Sequence, residues 1–161
     1  MAKFWYVLSC KLNKEHIVAQ QLRSQGHEVF CPLARDRRSK SRRIQPRPYF
    51  PGYIFVQVDL EEVSLSTFQW MPNTEGLVRF GLKPAYVPDS LVRAIGKHTQ
   101  ELSGDGDGRV GRGEVVPESK DRGEIIEASG AIFDPKLSSD QRVQELLRVL
   151  ESVTIPPAFG G

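Results

Sequence analysis

Phe50-Pro51-Gly52-Tyr53-Ile54-Phe55-Val56 is the stretch best suited to do chemistry, and that chemistry is binding. Its aromatic and β-branched residues suit a strand, and Pro51-Gly52 kinks the strand at its start. Just before it, residues 35–47 carry seven Lys/Arg against one Asp. Basic side chains attract phosphates, and aromatic rings stack on bases, so the pair suits a protein working beside nucleic acid. The same pattern also describes a core strand following a solvated loop, and local spacing does not choose between the two.

Catalytic and metal-binding patterns do not stand out. No paired carboxylates in a motif, no activated nucleophile and no metal-ligand spacing occur, so neither an enzyme nor a metal or cofactor site is expected. His16, His27 and His98 are scattered, and Cys10 with Cys31 reads as a pair of reduced core thiols. Gly106-Asp107-Gly108-Arg109-Val110-Gly111 fits the dinucleotide string G-x-G-x-x-G. It lacks the strand before it and the helix after it that such a loop needs. Asp105-x-Asp107 starts like a calcium loop, but no glutamate falls at the twelfth position.

The 161 residues are 39% hydrophobic and 26% charged, the balance of a soluble globular chain of one domain or one domain plus a small module. No apolar run is long enough to span a membrane, and Phe4 to Leu8 is too short for a signal peptide. The expectation is a cytoplasmic monomer with no membrane partner. Residues 1–100 hold 15 Lys/Arg and 8 Asp/Glu, whereas residues 101–161 hold 7 and 12. A basic front half draws phosphates, and an acidic back half can compete with them for the same face.

The elements that position the aromatic stretch follow in order. Phe4–Cys10 reads as a strand. Asn13 is expected to cap a helix reaching Gln25, with Ile17, Val18 and Leu22 facing inward. Glu28–Cys31 reads as a second strand, and Phe50–Asp59 as the aromatic one. Glu61–Trp70 reads as a short helix, Leu77–Phe80 as a strand, and 84–88 as extended chain. A helix then starts at Asp89 or Ser90 with Leu91, Val92 and Ile95 inward. This order predicts an α+β fold with an antiparallel sheet and helices packed on it. Residues 1–100 form the first domain, the glycine-rich 101–114 a flexible linker, and 115–161 a small C-terminal domain.

The C-terminal domain reads two ways. Val143, Leu146, Leu147, Leu150 and Val153 have helical spacing, and Ser138 with Gln141 has the form of a capping box. A partner helix starting near Pro117 would complete a hairpin. The segments 124–126, 131–133 and 153–155 are equally plausible strands of a small barrel. A two-helix hairpin cannot bury its apolar side alone and would dock on the first domain.

With these pieces in place, the chain resembles the NusG family of transcription elongation factors, and within it the RfaH-like antitermination branch. The residues carrying the resemblance are Trp5-Tyr6-Val7, Phe50 to Val56, Asn73-Thr74-Glu75-Gly76 and Val78-Arg79-Phe80-Gly81, followed by Pro84-Ala85 and Val87-Pro88. Gly130-Ala131-Ile132-Phe133 and Arg142-Val143 resemble the family's C-terminal KOW domain, although the flanking Ala128-Ser129-Gly130 and Leu137-Ser138-Ser139-Asp140 depart from its pattern.

The resemblance implies an NGN-like first domain that docks on the clamp helices of bacterial RNA polymerase and favours antitermination. Phe50, Pro51, Tyr53 and Phe55 would form the docking surface. Lys11, Arg23, Gln25 and Thr74 would face the displaced non-template DNA strand. Ile17, Gln21, Ser24 and Glu75 stand where the branch places basic or His residues, so the DNA element read would differ. The resemblance also implies a C-terminal domain that masks the docking surface as a helical hairpin or stands free as a small β-barrel. The masking contact would join Tyr53 and Phe80 to Ile132, Phe133, Leu146, Leu147 and Leu150. A small-subunit ribosomal protein is the partner implied for the released domain.

Overall fold

The structure is a computed structural model that describes residues 3–34, 47–103, 130–134 and 136–152. The basic segment 35–46, most of the glycine-rich linker and the proposed first helix of the C-terminal hairpin lie outside the described residues.

The centre is an antiparallel sheet built on β1 (Phe4–Cys10). Along one edge of β1 runs β5 (Tyr53–Val58), in the register Tyr6↔Val56 and Leu8↔Ile54. On the outer side of β5 lies β2 (Glu28–Phe30). The other edge of β1 is shared by β6 (Thr74–Leu77) and β9 (Tyr86–Val87). Two short ribbons stand apart, β3 (Leu33–Ala34) with β4 (Arg47–Pro48), and β7 (Arg79–Phe80) with β8 (Lys83–Pro84).

Both faces of the sheet are covered, which explains why β1 and β5 are apolar almost throughout. Tyr6, Leu8, Ile54 and Val56 point to one face. There they meet Val18 and Leu22 of α1 (Glu15–Ser24) and Phe68 of α2 (Leu65–Trp70). Val7 and Phe55 point to the other face and meet Leu91, Val92 and Ile95 of α3 (Asp89–Ser103). The same face takes Leu146, Val149 and Leu150 of α4 (Ser139–Ser152). A 3₁₀ turn, Gly130–Phe133, precedes α4 and sends Ile132 into the same core. This is the expected α+β architecture.

Several local expectations need correction. Asn13 does not cap α1. It sits at φ 67°, a left-handed conformation that asparagine tolerates, and Lys14 occupies the capping position without a side-chain bond. Ile17 is 39% exposed, and Ala19 takes the inward place beside Val18 and Leu22. The helix read over 61–70 starts only at Leu65, because Ser64 caps it by accepting from the Ser66 N–H at 3.3 Å. The strand read over 77–80 divides at Val78, whose N–H bonds the Val7 carbonyl at 2.8 Å before the chain turns into a separate ribbon. The third helix runs on to Ser103, three residues into the stretch read as linker.

The start of α4 is a reciprocal capping box. Ser138 Oγ accepts from the Gln141 N–H at 3.2 Å, and Gln141 Oε1 accepts from the Ser138 N–H at 3.0 Å. Ser138→Ala is expected to weaken the seating of α4 by about 1 kcal/mol. Faster amide exchange over 139–143, with 15–24 unchanged, is the readout.

Candidate functional site

The aromatic stretch enters the sheet through a tight turn. The Tyr53 N–H bonds the Phe50 carbonyl at 3.0 Å, with Pro51 and Gly52 at the corners and Gly52 at φ 84°. A proline followed by a residue of positive φ is the arrangement of a type II turn, and glycine suits the second corner. The turn is pinned on both sides. The Gly52 carbonyl accepts from the Cys10 N–H at 2.8 Å, and the Gly52 N–H donates to Glu15 Oε1 at 2.8 Å. Glu15 is a buried carboxylate at the start of α1, so one helix end fixes the angle at which the aromatics leave the sheet.

Beyond the turn the rings form one apolar surface. Phe50 stands edge-on to Tyr49 at 4.9 Å and to Phe55 at 5.9 Å, and Phe55 lies 5.8 Å from Phe30. Phe50 and Phe55 are fully buried, and Tyr53 and Pro51 are half-buried. The cover is the C-terminal segment. Ile132, Leu146, Val149 and Leu150 join Phe50 and Phe55 in one buried cluster, with Tyr53, Phe80, Phe133 and Val143 packed against it.

Polar contacts fasten this cover at Tyr49. The Tyr49 hydroxyl donates to the Ile132 carbonyl at 2.8 Å, and Arg142 Nη1 donates to the Tyr49 carbonyl at 3.0 Å. The Arg142 guanidinium lies over the Tyr49 ring, 3.9 Å from its centre, a cation–π geometry. His98 of α3 packs between Tyr49 and Phe133, with ring centres at 5.8 and 4.6 Å. Burial pushes the Tyr49 phenol above its ordinary pKa, and the Arg142 charge works in the opposite direction. The phenol therefore stays a neutral donor to Ile132 at physiological pH. Arg142 Nε is buried with no hydrogen-bond partner among the described residues.

The residues expected from the sequence distribute unevenly. Phe50, Pro51, Tyr53 and Phe55 fall together at the turn and its strand, and Ile132, Phe133, Leu146 and Leu150 fall against them. Leu147 is half-buried outside that cluster. The four residues expected to face DNA are not gathered into one spot. Lys11 precedes α1, while Arg23 and Gln25 lie at its far end, about 15 Å of helix away. All three are exposed. The Thr74 hydroxyl is turned inward to the carbonyls of Phe68 and Met71, where it holds a turn together. Tyr49 and Glu15 were not singled out by sequence pattern, and Arg142 entered only through the resemblance of Arg142-Val143 to the KOW domain.

Neither thiol is reactive in this setting. Burial, with the Glu15 charge second, pushes Cys10 up to about 12 and Cys31 up to about 11. Both are free cysteines. Among the described residues no His, Cys, Asp and Glu group could hold a metal, and no helix is long and apolar enough to cross a membrane.

Fold and site together define a mixed α+β protein whose C-terminal helix packs over the aromatic rings of β5 and the turn before it. The profile of the family described as "Transcription termination factor nusG" matches residues 3–96, and the chain belongs to that family. It is 25% identical over 173 residues to the transcription termination/antitermination protein NusG of Treponema pallidum (strain Nichols), covering 96% of this chain and 91% of the relative. It is 30% identical over 112 residues to the protein of the same description from Yersinia pestis, covering 62% of each chain. A solved structure described as "Domain interaction in Thermotoga maritima NusG" aligns with 73% of this chain and 67% of its own, at 21% identity and a TM-score of 0.43.

Proposed function

We propose that this chain is a transcription elongation and antitermination factor of the RfaH-like kind, which docks on bacterial RNA polymerase and rests with its docking surface covered. The N-terminal unit, residues 1–100, does the docking through Phe50, Pro51, Tyr53 and Phe55. The C-terminal unit, residues 115–161, is the cover, and 101–114 joins them. The single observation that supports the reading is the shared cluster in which Ile132, Leu146 and Leu150 bury Phe50 and Phe55. Rigid aromatic rings are efficient anchors for a protein partner, and the same rings are a liability in water until that partner arrives.

The displaced DNA strand is a second partner, contacted across the exposed Lys11, Arg23 and Gln25. Once released, the C-terminal unit is free to meet a small-subunit ribosomal protein. The test is capture of the full chain by bacterial RNA polymerase, before and after cutting between residues 104 and 114. Cutting turns an intramolecular cover into a dissociable one, so capture is expected to rise. Equal capture before and after the cut would remove masking from the proposal, and no capture in either state would remove docking.

A further inference from the structure

Leu82 is 90% exposed, more than any other large apolar residue among the described ones. It stands at the tip of the β7–β8 ribbon, whose register pairs Arg79 with Pro84 and Phe80 with Lys83 and leaves the two-residue turn Gly81-Leu82. Gly81 takes φ 66° at the first position, as a type II′ turn requires. The second position favours Asn, Asp or Ser, which bond the nearby backbone or meet water. A lone exposed leucine elsewhere on a surface would need no explanation. At this position it departs from the turn's own chemistry, and its exposure shows that the fold gains no burial in return. A local rule broken without gain to the fold points to a partner.

The ribbon beneath the tip is fixed, and it borders the aromatic surface. The Val78 N–H bonds the Val7 carbonyl at 2.8 Å, which ties the ribbon to β1, and the Ala85 N–H bonds the Val78 carbonyl at 2.8 Å, which closes its base. Val78 and Phe80 both pack against the buried cluster of Phe50, Phe55, Leu146 and Leu150. Leu82 lies two residues beyond Phe80, within about 7 Å along the chain. The tip therefore continues the aromatic surface past the edge of what α4 covers. Arg79 and Lys83 are both exposed beside it, on opposite faces of the ribbon. We propose that the Gly81-Leu82 tip is an outer anchor of the polymerase-docking surface, with Leu82 entering an apolar pocket and Arg79 and Lys83 meeting an acidic rim around it. A small apolar centre inside a ring of opposite charge is the ordinary anatomy of a specific protein contact. The inference rests on the docking reading and adds to it a contact that α4 leaves open and a charge requirement on the partner.

Because the tip is open in the resting chain, its loss acts on docking and not on the cover. Equilibrium binding to bacterial RNA polymerase is measured for the full chain, intact and cut between residues 104 and 114. Leu82→Ser is expected to weaken binding roughly fivefold to thirtyfold, by the same factor in both forms. Melting temperature and amide exchange over 50–58 are expected to stay unchanged, because the side chain is almost wholly in solvent. Leu82→Met keeps an apolar side chain of similar volume and is expected to lose little. Arg79→Glu combined with Lys83→Glu is expected to slow association roughly tenfold at low ionic strength and to lose that effect in high salt. Wild-type affinity in Leu82→Ser overturns the inference. A loss that comes with faster exchange over 50–58 also overturns it, and makes Leu82 a support of the cover. An association rate indifferent to the charge reversal overturns the acidic rim. Failure of the cut wild type to bind polymerase overturns the docking reading and this contact together, whereas normal binding indifferent to Leu82→Ser overturns the contact alone.

Discussion

Replacing Leu146 with aspartate is expected to raise the affinity of the full chain for bacterial RNA polymerase by roughly tenfold to a hundredfold. Leu146 is fully buried in the cluster that includes Phe50 and Phe55. A carboxylate there has no partner, and burying it costs several kcal/mol, on the order of the whole seating energy of one helix. The helix α4 lets go, and the aromatic rings meet solvent. Apparent affinity is the intrinsic affinity multiplied by the fraction of open molecules, so an open fraction of about 1% sets a ceiling near a hundredfold. The measurement is equilibrium binding to polymerase together with amide exchange over 50–58. Gln144→Asp places the same charge on the exposed side of α4 and is expected to leave both unchanged. Faster exchange over 50–58 without a gain in affinity would separate uncovering from docking and sink the masking proposal.

How far the sequence foretold this arrangement depends on the range of the interaction. The helix α4 was readable because its apolar residues repeat at helical spacing and its capping box lies within four residues. The strands β1 and β5 were readable from aromatic and β-branched content, and the turn at Pro51-Gly52 from the residue types its φ values demand. What pattern missed is long-range pairing. Glu15 reads as a solvated charge at a helix start, and only the fold brings it to the Gly52 N–H, 37 residues away. Tyr49 lies outside the strand it borders, and its partner Arg142 is 93 positions further on. Neither has a local signature, because each is defined by what it touches. The Asn13 cap failed for a different reason. Asparagine suits both a helix cap and a left-handed corner, and the loop from Cys10 to Glu15 needs the corner. Thr74 carried a family resemblance to a DNA contact, but its hydroxyl serves the turn beneath Trp70.

Phe50→Ala is expected to lower stability by about 3–5 kcal/mol, the range for deleting a fully buried aromatic ring. For a chain of this size that is a fall in melting temperature of roughly 6–20 °C. Phe50 is fully buried and contacts two rings edge-on, so little of the cavity can collapse. The same substitution is expected to abolish any gain in polymerase affinity from Leu146→Asp, because the uncovered surface then lacks its central ring. Tyr53→Ala separates the two effects. Tyr53 is half-buried at the edge of the cluster, so its loss costs less stability while still removing a ring of the proposed docking surface. The pair is read by melting temperature and polymerase capture, each measured with and without Leu146→Asp. Unchanged capture by Tyr53→Ala in the uncovered protein would show that these rings serve only the core. The expected outcome places Phe50 in two competing roles: in the closed state it packs against α4, and in the open state it would pack against polymerase. A ring required to be apolar for its partner must be covered in that partner's absence.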